Sequence, residues 1–328
     1  MELRTTFSIS PSEIKITYDD KVVFIGSCFA TSIGRQFELG HLPVLINPAG
    51  TVYNPVSVYN TLDKITCGIP SIQEDLYNRN GTWLSFDHHT DFTSEDPEEL
   101  LITINERSKE ALEFISGASF LFITFGTARI YRWKETGKIV SNCHKLPAVL
   151  FIQELLTVNE IVDLWDVQLN RLNTLFPDLK VIFTISPVRH WKDSAHGNQV
   201  SKSVLFLAVE ELLKHSSGPG YFPAYELVMD DLRDYRFYDD DMLHLSAAAV
   251  EYIWNAFSDC YFDTDTSDLY REIAKITKAM LHRIHSGSSQ NLKTFAETIL
   301  NRIDTIISRK PSLNFDSEKK YFTDLINL

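Results

Sequence analysis

Val22-Val23-Phe24-Ile25-Gly26-Ser27-Cys28-Phe29-Ala30-Thr31-Ser32-Ile33-Gly34-Arg35-Gln36-Phe37 is the stretch whose reading decides the fold. Four consecutive apolar residues suit a short strand buried on both faces. Gly26 then allows a sharp turn, and Phe29 to Phe37 read as a helix. Strand, glycine turn and helix is how α/β enzymes hold a nucleophile at the carboxyl edge of a sheet. Cys28 stands at the helix start, where partial positive charge favours thiolate, the reactive form, over thiol. The competing reading is a buried, inert cysteine.

Working outward, similar apolar runs recur at 43–46, 119–125, 179–185 and 222–228, with helical patterns at about 97–116, 150–175 and 199–215. This alternation predicts an α/β fold with a parallel sheet covered on both sides by helices. Residues 7–16 read as a short extended prelude. The polar, turn-rich region 67–96 reads as an insertion over one edge of the sheet. Ile130-Tyr131-Arg132 and Lys138-Ile139-Val140 read as a hairpin. Beyond about 262 only helical spacing remains, in 268–285 and 290–309. Ile273, Ile276, Met280 and Ile284 mark the first helix, and Leu292, Phe295, Ile299 and Ile303 the second, with Ser286-Gly287-Ser288-Ser289 between them. The expected division is an α/β domain at 1–262 and a C-terminal helical extension at 263–328. Apolar faces on those helices must be buried against the domain or across a homodimer interface. His282 and His285 in this segment are given no functional role.

The 328 residues carry 31 Lys and Arg against 44 Asp and Glu, a net charge of −13. With no basic tract, nucleic acid and anionic membrane surfaces are unsuitable partners, and a small-molecule or acylated substrate fits better. No apolar run approaches the roughly 20 residues of a membrane span. Met1-Glu2-Leu3-Arg4-Thr5-Thr6 lacks the pattern of a secretory signal. Cys28, Cys67, Cys143 and Cys260 are scattered, with neither metal-ligand spacing nor a disulfide framework. The expectation is a cytoplasmic protein with no cofactor and no metal.

Gly26-Ser27-Cys28-Phe29-Ala30 spells the motif of the GSCFA-domain family, grouped with the SGNH (GDSL-like) hydrolases. The resemblance continues through Asn47-Pro48-Ala49-Gly50-Thr51-Val52-Tyr53-Asn54-Pro55, Phe125-Gly126-Thr127, Ser141-Asn142-Cys143-His144-Lys145-Leu146-Pro147 and Ser186-Pro187-Val188-Arg189-His190. It ends in the segment from Asp230 through Asp241 and His244, and covers roughly residues 1–260. It implies a three-layer α/β/α sandwich on a mostly parallel five-stranded sheet. It also implies a nucleophile after the first strand and an Asp-x-x-His pair after the last. In the usual G-D-S-L block the serine lies two residues after the glycine. Here that position is Cys28, with Ser27 in the aspartate slot as the second candidate.

His244 is then the base and Asp241 the carboxylate that orients it. For the oxyanion, the N–H groups of Cys28 and Gly50 are candidates. Gly126 is a further candidate for the oxyanion or substrate, although Gly126-Thr127-Ala128 lacks the asparagine that the SGNH third block supplies. Asn142 or Asn54 can substitute, or either can be a turn residue. His144 is a candidate substrate contact. It could also hold a metal, but Cys143-His144 is a weak metal pair because adjacent residues rarely point to one centre. Asp87-His88-His89 look metal-like on paper but read as surface or edge-packing histidines. Arg189 ends the fourth strand, where it either grips a substrate carboxylate or phosphate or pairs with Asp230, Asp231 or Asp234. These parts suit an ester or thioester hydrolase, or an acyltransferase. The rivals are a binding or regulatory protein that keeps the fold without the reaction, and a metal-dependent enzyme.

Overall fold

The computed structural model describes residues 5–281 and 289–327, with the backbone alone at 289 and 290. His282, Ile284, His285 and Ser286-Gly287-Ser288 lie outside the described residues. From β1 (Lys21–Gly26) the chain passes into α1 (Cys28–Leu39), β2 (Val44–Ile46) and α2 (Pro55–Thr66). The 67–96 region forms the antiparallel β3 (Leu76–Arg79), β4 (Thr82–Ser85) and β5 (Thr93–Ser94). Then come α3 (Pro97–Ile115), β6 (Ala118–Phe125), β7 (Arg129–Trp133), β8 (Ile139–Val140), β9 (Phe151–Leu155), α4 (Val158–Leu175), β10 (Lys180–Ile185), α5 (Ser194–Leu212) and β11 (Gly220–Tyr221). A short α6 (Ala224–Glu226) precedes α7 (Ala247–Tyr261), α8 (Thr264–Leu281), α9 (Ser289–Arg309) and α10 (Asp316–Ile326).

The main sheet has five parallel strands in the order β11-β10-β6-β1-β2. The chain winds outward from β1 to β2, then crosses back to place β6 on the other side of β1. That reversal opens a crevice at the carboxyl ends of β1 and β6, the position where ligands bind in open α/β sheets. Alternate residues of the central strands feed two cores. Val22, Phe24, Phe120, Phe122 and Ile182 pack against α1, α7 and the C-terminal helices. Val23, Ile25, Leu121, Ile123 and Phe183 pack against α2 to α5. Period-two alternation with both faces apolar is why these strands read as continuous runs. The fold is therefore an α/β sandwich, as expected.

Local signals set the helix starts. Ser27, Asn54, Asp96, Thr157 and Ser246 each cap a helix through the side-chain oxygen. Two sequence expectations are corrected. Residues 151–155 belong to β9, paired with β7, and the helix starts only at Val158, capped by Thr157 with Glu160 completing the capping box. The strand expected at 222–228 is two residues, Gly220–Tyr221. Pro223 cannot donate to a ladder, and Ala224, Leu227 and Val228 turn helically into the core. Residues 7–16 form no strand; Ile16 bridges Phe262 beside α7. The hairpin after β6 forms as read, and β9 adds a third strand.

The C-terminal helices pack on the α/β domain. Ile273, Ile276, Ile303 and Phe322 enter the core that α1 and α7 share. A Cβ at Gly40 would lie 2.2 Å from the Tyr270 ring, so α8 sits directly on the end of α1. Among the described residues no helix is long and apolar enough to cross a membrane.

Candidate active site

Gly26 makes the turn from β1 into α1 with φ +137°, and a Cβ there would lie 2.1 Å from the Thr124 carbonyl oxygen. Only glycine meets both demands. The Gly26 N–H donates to Asn47 Oδ1 at 2.8 Å, and Asn47 Nδ2 donates to Thr31 Oγ1 at 2.8 Å. Asn47 thus fastens the turn to α1 and to the loop after β2.

The geometry separates the two nucleophile candidates. Ser27 is 1% exposed, and its Oγ accepts the Phe29 N–H at 3.3 Å as the α1 cap. Cys28 is half-buried and opens the helix. Its thiol, expected to be pulled toward thiolate, is instead pushed up by burial. The N–H groups of Phe29 and of Cys28 itself, and the charge of Lys202, oppose that rise without reversing it, while Asp241 adds to it. Desolvation outweighs the helix end here, so the resting form is the thiol and a base is needed to ionise it.

His244 Nδ1 and Asp241 Oδ2 are 2.5 Å apart, and Asp241 Oδ1 accepts the N–H groups of Leu243 at 2.9 Å and His244 at 2.8 Å. These bonds, led by the His244 ring, hold the exposed Asp241 carboxyl down at about 2. An ionised Asp241 fixes the tautomer with the proton on Nδ1, leaving Nε2 as the acceptor. Among the described residues no hydrogen bond joins Cys28 to His244 or Asp241, and the charge of Asp241 reaches the thiol only as a small upward push.

The other candidates divide differently. The Gly50 N–H donates to Asn47 O at 2.7 Å, closing a tight turn at φ +75°. The Gly126 N–H donates to Tyr53 O at 2.7 Å. Asn54 is buried and spends its amide on Ser57, as the α2 cap. Gly50 and Gly126 are corrected to structural roles because their N–H groups are already engaged, and Asn54 because it is buried as the α2 cap. Asn142 accepts the His144 N–H at 2.8 Å within a loop turn. His144 is buried, its Nε2 lies 2.8 Å from Ser85 O, and burial lowers its pKa. It ties the 139–151 loop to the β3–β5 sheet. His88 is likewise buried against Ser85, and burial lowers it to about 4. Asp87 pairs with Lys64 at 2.6 Å and His89 with Asp91 at 3.0 Å. Among the described residues no three His, Cys, Asp or Glu side chains are grouped to hold a metal ion.

Arg189 makes none of its expected ion pairs. Asp230 pairs with Arg233, Asp234 with Arg236, and Asp231 accepts the Tyr252 hydroxyl. The Arg189 guanidinium lies over the Trp191 ring, 4.9 Å from its centroid. It lines a cavity of about 470 Å³ together with Asp241.

Lys202 was missed at the sequence level. It is fully buried on α5, and its Nζ donates to Gly126 O at 2.7 Å and Ser186 O at 2.5 Å, the first residues past β6 and β10. Burial lowers it to about 7; the Cys28 charge works against that shift and Arg189 adds to it. The signal was present: Lys202 falls in the apolar stripe of Leu205, Val209 and Leu212 at helical spacing. A lysine on a core face is rare enough to mark.

No curated protein matches the sequence. The chain is similar to a solved structure from Streptococcus pneumonia, provisionally described there as a platelet activating factor, at 15% identity. The overlap spans 74% of this chain and 83% of the other with a TM-score of 0.36, too loose to carry an argument. Residues 273–327 match the family described as "GSCFA domain protein, C-terminal domain". Residues 21–257 match the GSCFA family itself, and over that span, well beyond half its length, the chain belongs to it.

Proposed function

We propose that this protein is an acyl-transfer enzyme that cleaves an ester or thioester, with Cys28 as nucleophile and His244–Asp241 as the base pair. The observation that carries the reading is the 2.5 Å His244–Asp241 pair, taken with the order of the parts along the chain. The order of parts, nucleophile after the first strand and Asp-x-x-His after the last, is that of the SGNH hydrolases the sequence resembles. In this mechanism His244 Nε2 takes the Cys28 proton as sulfur attacks the acyl carbonyl carbon. The oxyanion is met by the Cys28 N–H at the α1 terminus. Collapse expels the alcohol or thiol, which receives the proton from His244 and leaves an acyl-cysteine. Water, or another acceptor activated by the same imidazole, then releases the acyl group. Lys202 braces the turn from behind, its Nζ joining the carbonyls of Gly126 and Ser186.

A second reading, a protein that binds an acylated ligand without turning it over, draws on one observation. The N–H groups of Gly50 and Gly126 and the amide of Asn54 are all committed to the fold. Kinetics separate the two. His244→Ala lowers kcat on an activated thioester by on the order of 10²–10⁴-fold, and Asp241→Asn lowers it less. A His244→Ala rate equal to the wild-type rate removes the base from the scheme.

A further inference from the structure

The cavity beside Asp241 has a chemistry that the acyl-transfer reading leaves open. Its volume of about 470 Å³ falls in the range of roughly 300–1,000 Å³ common for small-molecule sites. Val228, Met229, Met242 and Leu243 give it apolar walls. Trp191, 52% exposed, and Tyr235, 74% exposed, stand with large apolar surfaces in water, and the Tyr238 ring lies 6.0 Å from that of Tyr235. Exposed aromatic rings grouped around a concave apolar site suit a ligand with an apolar or aromatic body.

The charged groups that line the cavity are Arg189, Arg233, Asp234 and Asp241. Three are already engaged. Arg233 pairs with Asp230 at 2.7 Å and also donates to Met229 O. Asp234 accepts the Arg236 N–H at 3.0 Å and pairs with its guanidinium. Asp241 is bound to His244 and two backbone N–H groups. Arg189 differs. It is half-buried, and among the described residues it makes neither an ion pair nor a hydrogen bond. It stands over the face of Trp191, a contact that uses none of its N–H donors. A guanidinium carries five donors, in a fork that matches carboxylate or phosphate. The Arg189 fork is thus open to an anion.

We propose that this cavity binds the body of the substrate, and that the substrate carries an anionic group, a carboxylate or a phosphate, seated on Arg189. The proposal rests on the reading of Cys28 and His244 as the reacting pair only for the word substrate; the anion site itself needs neither residue.

Binding is therefore measured on the Cys28→Ala protein, where nothing can turn over. The probes are 4-phenylbutyrate, its neutral amide and 3-phenylpropyl phosphate, titrated by calorimetry and by tryptophan fluorescence. The expected result is saturable binding of at least one anion. The amide should bind about 10- to 100-fold more weakly, the usual effect of losing a charge-assisted bond. Arg189→Gln should abolish that preference and Arg189→Lys should restore part of it. The ratio of the two anions tells carboxylate from phosphate. Equal binding of anion and amide, a preference that survives Arg189→Gln, or no saturable binding by folded protein overturns the proposal. Any of these leaves the thioester kinetics of the unmodified chain as an independent test of the acyl-transfer reading.

Discussion

At the scale of single residues the site is a contest between burial and charge. Burial holds the Cys28 thiol protonated despite its place at a helix start. The same desolvation brings Lys202 down to about 7 from 10.5. That depression has a consequence for stability. Between about pH 7 and pH 10 the unfolded chain keeps this lysine charged while the folded protein holds it neutral. The unfolded state then binds more protons, so stability rises with pH across this window and is lost as pH falls toward 7. Lys202→Met should flatten that dependence, read as denaturation midpoints near pH 7.5 and pH 9.5. An unchanged slope in Lys202→Met would mean that another group titrates. Cys28, His244 and Asp241, the proposed reacting set, are nominated by the sequence because each sits in a short, ordered motif. Lys202 is marked there only as a lysine on an apolar helix face; its partners, the carbonyls of Gly126 and Ser186, are brought together only by the folded sheet.

At the scale of elements, the β1–α1 junction carries the most information. Gly26 must hold φ +137° against the Thr124 carbonyl. Gly26→Ala is expected to cost more than about 2 kcal/mol, measured by chemical denaturation, and to slow thiol labelling of whatever stays folded. A variant as stable as wild type would mean that the turn tolerates a Cβ. Strands buried on both faces were readable as apolar runs, because nothing but burial explains Phe120 to Phe125. Boundaries failed where pairing overruled periodicity. Phe151–Leu155 reads as part of a helix, yet it completes the sheet with β7. The oxyanion candidates failed for a related reason. Gly50, Gly126 and Asn54 belong to the right blocks, but sequence cannot show that their donors close turns and caps.

At the scale of the molecule, the C-terminal helices extend the core behind α1 rather than the site. His41 Nε2 lies 3.0 Å from Glu318 Oε1, and the His41 ring is 4.7 Å from that of Phe315. This contact ties α10 to the loop that follows α1. Glu318→Ala removes the shorter contact of the partly buried imidazole and leaves only Thr277 Oγ1 at 3.5 Å, at a cost of about 1–3 kcal/mol. Hydrogen exchange should then quicken in α10, with thiol chemistry at Cys28 unchanged. Loss of Cys28 reactivity in a folded Glu318→Ala protein would link the helices to the site. The central claim is that Cys28 carries the acyl group, and intact-protein mass after brief exposure to an activated thioester tests it most directly. The account predicts a single acyl adduct mapped to Cys28, present in Ser27→Ala and absent from Cys28→Ala. An adduct on Ser27, or one that persists in Cys28→Ala, would contradict it.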